Sequence, residues 1–341
     1  MTLRARVRAA IDRRPADRPP YCIGFTAEGR EELLRGLRRG VAAGPHVQAA
    51  LEHFDPDQLD DVDPVDLVDA IVDNDVVRIG PPWWQWHGLQ ADWGGMAPPT
   101  SPARVLGRGS YEGFFEEVKR RRDEDDRYVL ATIYGSHFEK ANFARGIENF
   151  LADLGGEPAF ARRLLRRIID RNLVMLDNIL PCADIDGVLL GSDWGTQLDL
   201  IMAPATWQEL IRPGEQEEYD LIRSFGKDVW IHSCGNVLKI IPSLIEMGVD
   251  VLNPVQPEAM DLTFLKETYG DRLAWWGGLS TQQTLPFGTP EEVQVEARRV
   301  RALLSRGGGC IFAPAQEIQG DVPAENILAL LEVAREPAGT R

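Results

Sequence analysis

Cysteine is scarce in this sequence, and its scarcity excludes one class of fold. Four cysteines are spread through 341 residues, at Cys22, Cys182, Cys234 and Cys310. A disulfide-stabilised secreted domain carries cysteine at a much higher density. The sequence therefore predicts a protein of a reducing compartment, and we expect it in the cytoplasm.

Long apolar runs and an excess of basic residues are also absent. No run of about 18 apolar residues occurs, and the N-terminus MTLRARVRAAIDRRPADRPP lacks the apolar segment of an export signal. Asp and Glu number 53 against 37 Lys and Arg, so the net charge is -16. Binding to nucleic acid or to an anionic membrane requires a basic face. The sequence therefore predicts no membrane span and no nucleic-acid partner, and it favours a small-molecule substrate or a protein partner.

Eight short β-rich runs alternate with stretches of helical period. Most of these runs are continuously apolar, which is typical of strands buried on both faces of a parallel sheet. They are YCIGF (21–25), VVRIG (76–80), YVLATIY (128–134), DGVLLG (186–191), DVWIH (228–232), VDVLN (249–253), LAWWGG (273–278) and CIFAP (310–314). The alternation indicates an α/β protein, either a (β/α)8 TIM barrel or a doubly wound open sheet, and the count of eight favours the barrel.

No linker, internal repeat or shift in composition divides the chain. We therefore predict a single barrel domain over residues 1–341, with an N-terminal helical extension over residues 1–19. Residues 288–309 contain the clearest helix, with Thr289 as its N-cap. Residues 81–110 lack helical period and predict a long Trp-rich loop of the kind that forms lids or binding loops. Its tryptophans are Trp83, Trp84, Trp86 and Trp93.

Polar side chains follow almost every predicted strand at its C-terminal end. In a (β/α)8 barrel these ends meet at one mouth, where the active site lies. Amides, acids, a histidine and a thiol beside small residues are typical of a pocket rather than of solvated loops. The side chains concerned are Glu28, His137, Glu139, Asp193, Gln197, His232, Cys234, Asn253, Gln256, Ser280, Gln282, Gln316 and Glu317.

The segment VWIHSCGNV, residues 229–237, raises the possibility of a metal site. An imidazole and a thiolate, from His232 and Cys234, are half of a zinc ligand set, but the spacing supplies no third ligand. Two other interpretations stay open: a buried hydrogen-bonded histidine beside an inert cysteine, and Cys234 as a covalent nucleophile. No G-x-S-x-G motif surrounds Ser233, so a serine hydrolase is not indicated.

Four long segments resemble the uroporphyrinogen decarboxylase superfamily. They are GSDWGTQLDLIMAPATWQELIRP, VWIHSCGNVLKIIPSLIEMGVDVLNPVQPEAMDL, WWGGLSTQQTLPFGTPEEV and IFAPAQEIQGDVPAENILALLE. The resemblance is strong over about residues 130–335 and loose in the N-terminal part. It implies a (β/α)8 barrel with its site at the C-terminal mouth, in agreement with the strand count.

The resemblance implies one of two chemistries. One branch removes acetate carboxyls from uroporphyrinogen without a cofactor, and it uses an N-terminal arginine-rich motif together with an aspartate. This chain has Arg30 without paired arginines. A polycarboxylate substrate would be repelled by four acids, Glu28, Glu139, Asp193 and Glu317. A decarboxylase or other lyase of a small acid, with His232 or Asp193 as proton donor, is therefore the alternative function.

The other branch includes the methylcobalamin:coenzyme M methyltransferases, and the resemblance implies zinc for it. Its ligands are a His-x-Cys after strand 5 and a Cys after strand 8. His232 and Cys234 match the first pair, and Gln316 stands where the family has its second cysteine. A neutral amide is a weak zinc ligand beside imidazole and thiolate, so we expect Glu139, Asp193 or Glu317 to complete the shell.

We therefore predict a zinc-assisted methyl or alkyl transferase that works with a corrinoid protein or a small methylated substrate. The predicted catalytic residues are His232, Asp193 and Glu139, and the predicted metal ligands are His232, Cys234 and Gln316. A non-catalytic binding barrel is a third hypothesis, and a homodimer is an expectation because relatives with this fold often pair. Six further residues are predicted to bind the corrinoid or the substrate: Trp84, Trp86, Gln197, Asn253, Gln256 and Ser280.

Overall fold

The structure, a computed structural model, describes residues 1–54, 62–84, 107–108, 110–133 and 135–339. Its strands are β1 Val76–Ile79, β2 Trp83–Trp84, β3 Gly107–Arg108, β4 Tyr128–Ile133, β5 Gly187–Gly191, β6 Asp228–His232, β7 Val251–Asn253, β8 Ala274–Leu279 and β9 Cys310–Pro314. Seven of the eight predicted strands are therefore present as regular strands, and β2 and β3 form an additional antiparallel pair inside the predicted loop.

Helices separate the strands over most of the chain. They are α1 Leu3–Ile11, α2 Ala27–Arg38, α3 Pro45–Leu51, α4 Pro64–Val72, α5 Tyr111–Asp125, α6 His137–Arg145, α7 Ile147–Gly156, α8 Pro158–Ile179, α9 Pro204–Thr206, α10 Arg212–Ser224, α11 Ile241–Glu246, α12 Leu262–Tyr269, α13 Thr284–Phe287, α14 Pro290–Leu304 and α15 Ala324–Arg335. A π-helical turn, Trp207–Ile211, precedes α10, and a 3-10 turn, Leu238–Ile240, precedes α11. None of the helices in the described ranges is long and apolar enough to cross a membrane.

The chain forms two compact units. We call residues 77–253 the central unit and residues 1–76 with 254–341 the terminal unit. Both units are built from parallel strands with helical connections, so the chain has an α/β fold.

The central unit contains a sheet in which β1, β4, β5, β6 and β7 are neighbours in that order. The pairs β4–β5, β5–β6 and β6–β7 are parallel. All five residues of β5 are buried, which agrees with the continuous apolar pattern of the sequence. The register pairs Gly191 with His232 and His232 with Asn253, so the last residues of three strands lie side by side.

The terminal unit pairs β8 and β9 in parallel and places the segment 21–25 beside β9. This segment was predicted as a regular strand, but it makes only two isolated bridges, Tyr21 to Phe312 and Phe25 to Ile318. Between them, the Ile23 backbone N–H donates to the Asn74 side chain (2.7 Å), and Asn74 donates back to the Ile23 carbonyl. A side-chain amide therefore takes the place of a neighbouring strand's backbone, and this pairing could not be read from local pattern.

The N-terminal end of the helix predicted over residues 288–309 agrees with the sequence. The side chain of Thr289 caps α14, and Glu292 completes a capping box. Helix α1 lies within the predicted extension 1–19, where buried Arg6 hydrogen-bonds to Asp17 and to Asp75.

Candidate functional site

The loops that follow β5 and β6 carry three potential metal ligands of the central unit. His232 is the last residue of β6, Cys234 follows it by two residues, and Asp193 lies in the loop after β5. His232 Nε2 is 3.4 Å from Cys234 Sγ and 3.6 Å from Asp193 Oδ1. One ligand atom from each residue lies within 4.8 Å of the other two. The structure therefore brings together both members of the His-x-Cys pair and one of the acids expected to complete the shell.

Asn253 orients the imidazole of His232 by contacting its Nδ1. Asn253 Oδ1 is 2.5 Å from His232 Nδ1, and because this oxygen can only accept, Nδ1 carries the proton. The lone pair of the ring then lies on Nε2, the atom that faces Cys234 and Asp193. Metal-binding histidines have the same arrangement, in which the second nitrogen donates to a fixed acceptor. The side chain of Asn253, a residue predicted to bind the corrinoid or the substrate, is buried and contacts the histidine.

The thiol of Cys234 lies in an acidic environment. Burial, together with the nearby carboxylates of Asp193 and Glu139, raises the pKa of Cys234 to about 12. Glu139 lies in the first turn of α6, and a Cβ on Gly191 would be 3.7 Å from its Oε2, so this carboxylate reaches the end of β5. Without a cation the thiol stays protonated, and a bound cation would reverse this preference.

Two glycines allow the loops of Asp193 and Cys234 to pack against each other. A Cβ on Gly195 would lie 2.5 Å from the Cys234 carbonyl oxygen, and a Cβ on Gly235 would lie 2.5 Å from the Thr196 carbonyl oxygen. Gly235 also has a φ of +78°, a conformation that other residues rarely adopt. In addition, the Cys234 backbone N–H donates to Asp193 Oδ1 (2.9 Å), which ties the two loops together.

Gln197, another residue of the central unit that was predicted to bind the corrinoid or the substrate, is exposed in the loop after β5. Trp83 and Trp84 form β2, whereas Trp86 and Trp93 lie outside the described residues.

The terminal unit has a separate polar pocket at the ends of its strands. It is a cavity of about 460 Å³ whose lining includes Gln256, Gln282, Gln316, Gln319 and Asp321. Gln316, the predicted third metal ligand, accepts a hydrogen bond from the Glu317 backbone N–H through its Oε1. The sequence analysis did not identify Gln319 and Asp321, because they lie beyond the residues that directly follow β9.

Ser280 and Val255 shape the loops near this pocket. The Ser280 hydroxyl donates to Glu258 and accepts from the backbone N–H of Gln283, so its hydrogen bonds are made inside the terminal unit. Val255 has a φ of +54°, which is unusual for a β-branched residue, and it precedes Gln256. Strained backbone of this kind is often found at functional sites.

Sequence reasoning also missed a buried group formed by His137, Glu215 and Glu218. The two glutamates are three residues apart, so they lie on one face of α10. Charged residues at such spacing usually mark a solvated face, and only the tertiary packing shows that these two are buried.

The sequence matches one family model and two curated proteins. The family model described as Uroporphyrinogen decarboxylase (URO-D) matches residues 95–337. A methylated-thiol–coenzyme M methyltransferase from Methanosarcina mazei is 22% identical over 224 residues, which are 66% of this chain and 57% of that protein. A methylcobamide:CoM methyltransferase from Methanosarcina barkeri is 27% identical over 136 residues, or 40% of this chain and 38% of that protein. The chain thus spans less than two thirds of the length of either relative.

A solved structure supports the fold over nearly the whole chain. A methyltransferase from Methanosarcina mazei superposes with a TM-score of 0.69 and 19% identity, and the superposition covers 98% of each chain. At this identity the similarity establishes the fold and leaves the reaction open.

Proposed function

Because this chain belongs to the uroporphyrinogen decarboxylase (URO-D) family, we propose that it is a methyltransferase whose His232, Cys234 and Asp193 hold a zinc ion. The observation that carries the proposal is the convergence of an imidazole nitrogen, a thiol sulfur and a carboxylate oxygen within 4.8 Å. Nitrogen, sulfur and oxygen donors of this kind are the ligands that zinc takes in proteins. The names of the two curated relatives, both methyltransferases, support the reaction class.

The residues that hold the three donors in place also fit a zinc site. Asn253 fixes the tautomer of His232 so that Nε2 offers its lone pair. Asp193 accepts from the Cys234 backbone while it faces His232, which holds the three donors in one geometry. Three protein ligands leave a fourth position for a substrate, as in catalytic zinc sites. That Gln316 of the terminal unit contributes to this shell remains a prediction from the sequence.

Each residue then has a defined task in the proposed transfer. When bound, zinc supplies the positive charge that lowers the pKa of a coordinated thiol. His232 and Cys234 would position the substrate thiol by holding the zinc, and Asp193 keeps the two loops in contact. Glu139, whose carboxylate extends from α6 to the end of β5, accepts the proton that the thiol loses. The methyl group passes from the donor to sulfur, so one bond to carbon breaks as a carbon–sulfur bond forms.

The proposed methyl donor is the corrinoid of a partner protein or a small methylated substrate. The relatives are named for a methylcobamide and for methylated thiols, and both donors deliver a methyl group to sulfur. We further propose that the eight predicted strands complete the (β/α)8 barrel of a single domain, with its mouth at the C-terminal strand ends. The predicted homodimer and the cytoplasmic location stay predictions.

The test combines zinc analysis with a methyl-transfer assay on the purified full chain. Wild-type protein should contain about one zinc per chain more than the ligand variants, and it should convert methylcobalamin and a thiol into cob(I)alamin and a thioether, followed by absorbance. His232→Ala and Cys234→Ala should each lose that one zinc and at least about 100-fold of the rate. Cys182→Ala, at a half-buried cysteine outside the ligand group, is the matched control and should match wild type. Wild-type protein without zinc, or full activity in Cys234→Ala, would refute the proposal.

A further inference from the structure

A second group of polar side chains is buried in the central unit, and the proposed zinc site does not use it. Ser136 and His137 stand at the start of α6, and Glu215 and Glu218 lie on α10. The exposure of all four is 0%. Ionisable groups are rarely removed from water so completely unless they are paired or bind a metal.

The donor atoms of this group are spaced like the ligands of a small cation. His137 Nδ1 is 3.4 Å from Glu215 Oε1 and 3.6 Å from Glu218 Oε2. Ser136 Oγ is 3.2 Å from His137 Nδ1, 3.2 Å from Glu215 Oε1 and 2.9 Å from Glu218 Oε2. Tetrahedral ligands at about 2.0–2.2 Å from a metal are separated by roughly 3.3–3.6 Å. The distances from His137 to the two carboxylates fall in this range, and the three imidazole and carboxylate donors lie within 4.8 Å of one another, close enough to bind one ion.

The surroundings of these donors also match the outer layer of a metal site. His137 Nε2 is 3.1 Å from the Ile211 carbonyl oxygen, which can only accept, so the proton is on Nε2 and Nδ1 faces the carboxylates. Asn172 donates to Glu218 Oε1 (2.7 Å), and Lys140 donates to Asn172 (2.9 Å). Metal-bound histidines and carboxylates are typically held by such outer hydrogen bonds.

An independent observation points to a missing ligand. Glu215 Oε2 is buried, and it has no hydrogen-bond partner among the described residues. The buried Tyr219 hydroxyl on the next turn interacts with the Glu215 carboxylate, but within the described residues neither atom makes a hydrogen bond of normal length and angle. A buried carboxylate oxygen without a donor is costly. A cation bound through both oxygens of Glu215 would remove this deficit, because carboxylates bind metals in a bidentate as well as a monodentate manner.

The start of α10 packs closely against Ile169 of α8 and against His137 of α6. The π-helical turn Trp207–Ile211 ends where α10 begins, and turns of this kind occur frequently at functional sites. Gly214 follows, and a Cβ there would lie 2.2 Å from Ile169 Cδ1 and 3.1 Å from His137 Cε1. The missing side chain at Gly214 thus leaves room for Ile169 and His137 beside the turn that carries Glu215 and Glu218.

We infer that His137, Glu215 and Glu218 bind a divalent transition-metal ion, zinc or manganese, in a buried site that fastens α6 to α10. Mixed imidazole and carboxylate ligands suit both metals. The ion has a structural role, because the shell has no exposed position for a substrate. It also supports Glu139, which lies two residues after His137 on the same helix.

The experiment isolates this site by removing the proposed catalytic one. The full-length Cys234→Ala chain is expressed with added Zn²⁺ and Mn²⁺, desalted, and analysed by elemental mass spectrometry. It should retain about one metal ion per chain. Cys234→Ala combined with Glu218→Gln should lose at least about nine tenths of that metal. Cys234→Ala combined with Glu217→Gln is the matched control, because Glu217 is half-exposed and pairs with Arg166, and it should keep the metal.

A diffraction measurement keeps the proposal testable if Glu218→Gln fails to fold. Anomalous scattering from Cys234→Ala crystals should show a peak between His137 and Glu218. Folded Cys234→Ala protein that contains no metal under both supplements, or crystals without that peak, would identify the group as an ion-pair cluster and overturn the inference. Failure of the catalytic zinc site is distinguishable, since wild type and Cys234→Ala would then carry the same amount of metal.

Discussion

At the scale of single residues, the state of Cys234 is decided by its neighbours. Two carboxylates and burial hold its thiol protonated, although a cysteine at a catalytic site usually needs the thiolate. An environment that opposes the thiolate is unsuited to a free nucleophile, and it is suited to a ligand that loses its proton when a cation binds. The geometry thus favours the metal-ligand interpretation of Cys234 over the covalent one.

Replacing Asp193 tests this electrostatic account. In protein treated with a chelator, Asp193→Asn should lower the pKa of Cys234, because it removes one of the negative charges that disfavour the thiolate. A fall of about one unit in this pKa would raise the thiolate fraction about tenfold. The rate of alkylation by iodoacetamide at pH 8 should therefore rise about tenfold. Mass spectrometry of the modified cysteine measures this rate.

Cys310 serves as the internal reference for that experiment. It is fully buried, and burial raises its pKa to about 12, so it should stay unmodified in both proteins. An unchanged rate at Cys234 in Asp193→Asn would show that Asp193 does not contribute to the raised pKa of the thiol.

At the scale of elements, two loops form the site, and their contact depends on Gly195. Its backbone conformation is open to other residues, but its missing side chain leaves room for the Cys234 carbonyl. Gly195→Ala should therefore push the loops apart while both strands persist. We expect metal affinity to fall about tenfold or more with little change in helix content, measured by zinc titration and circular dichroism.

The matched control for this substitution is Gly155→Ala. Gly155 lies in α7, and a Cβ there would have no atom within 4 Å. The substitution should leave zinc affinity at the wild-type value and stabilise the helix slightly. Equal zinc affinity in Gly195→Ala and Gly155→Ala would contradict the proposed role of the loop contact.

Helices and strands could be predicted where the pattern of neighbouring residues determines them. The apolar runs and the Thr289 cap predicted β4–β9 and α14, because burial and capping leave a signature in neighbouring residues. The segment 21–25 was predicted as a strand for the same reason, yet its pairing is shared with the side chain of Asn74. A partner about 50 residues away leaves no trace in the local pattern.

At the scale of the whole molecule, Arg6 connects α1 to two distant acids. Its guanidinium hydrogen-bonds to Asp17 and to buried Asp75. The hydrogen bond from Arg6 lowers the pKa of Asp17 well below its ordinary value. A carboxyl with a lowered folded-state pKa stabilises the protein above its unfolded-state pKa, and this stabilisation is lost as the pH falls through the folded-state pKa.

Asp17→Asn should therefore reduce the free energy of unfolding at pH 7 by about 1 kcal/mol, a small value because Asp17 is half-exposed. The difference from wild type should shrink as the pH falls below about 4. Urea unfolding at pH 7, 5 and 3 measures it. Asp12→Asn, at an exposed acid paired with exposed Arg14, is the control and should change stability by less than about 0.5 kcal/mol. A difference that is constant with pH would rule out the ion pair as its source.

The family, the alternating α/β order and the His-x-Cys pair were determined by the sequence alone, because each is written in contiguous residues. The tertiary structure decided which acid joins His232 and Cys234, how Asn253 is used, and that His137 meets Glu215 and Glu218. These contacts join side chains from different elements. Their distances depend on strand register and on the close approach of helices that glycines permit, and neither is encoded in local spacing.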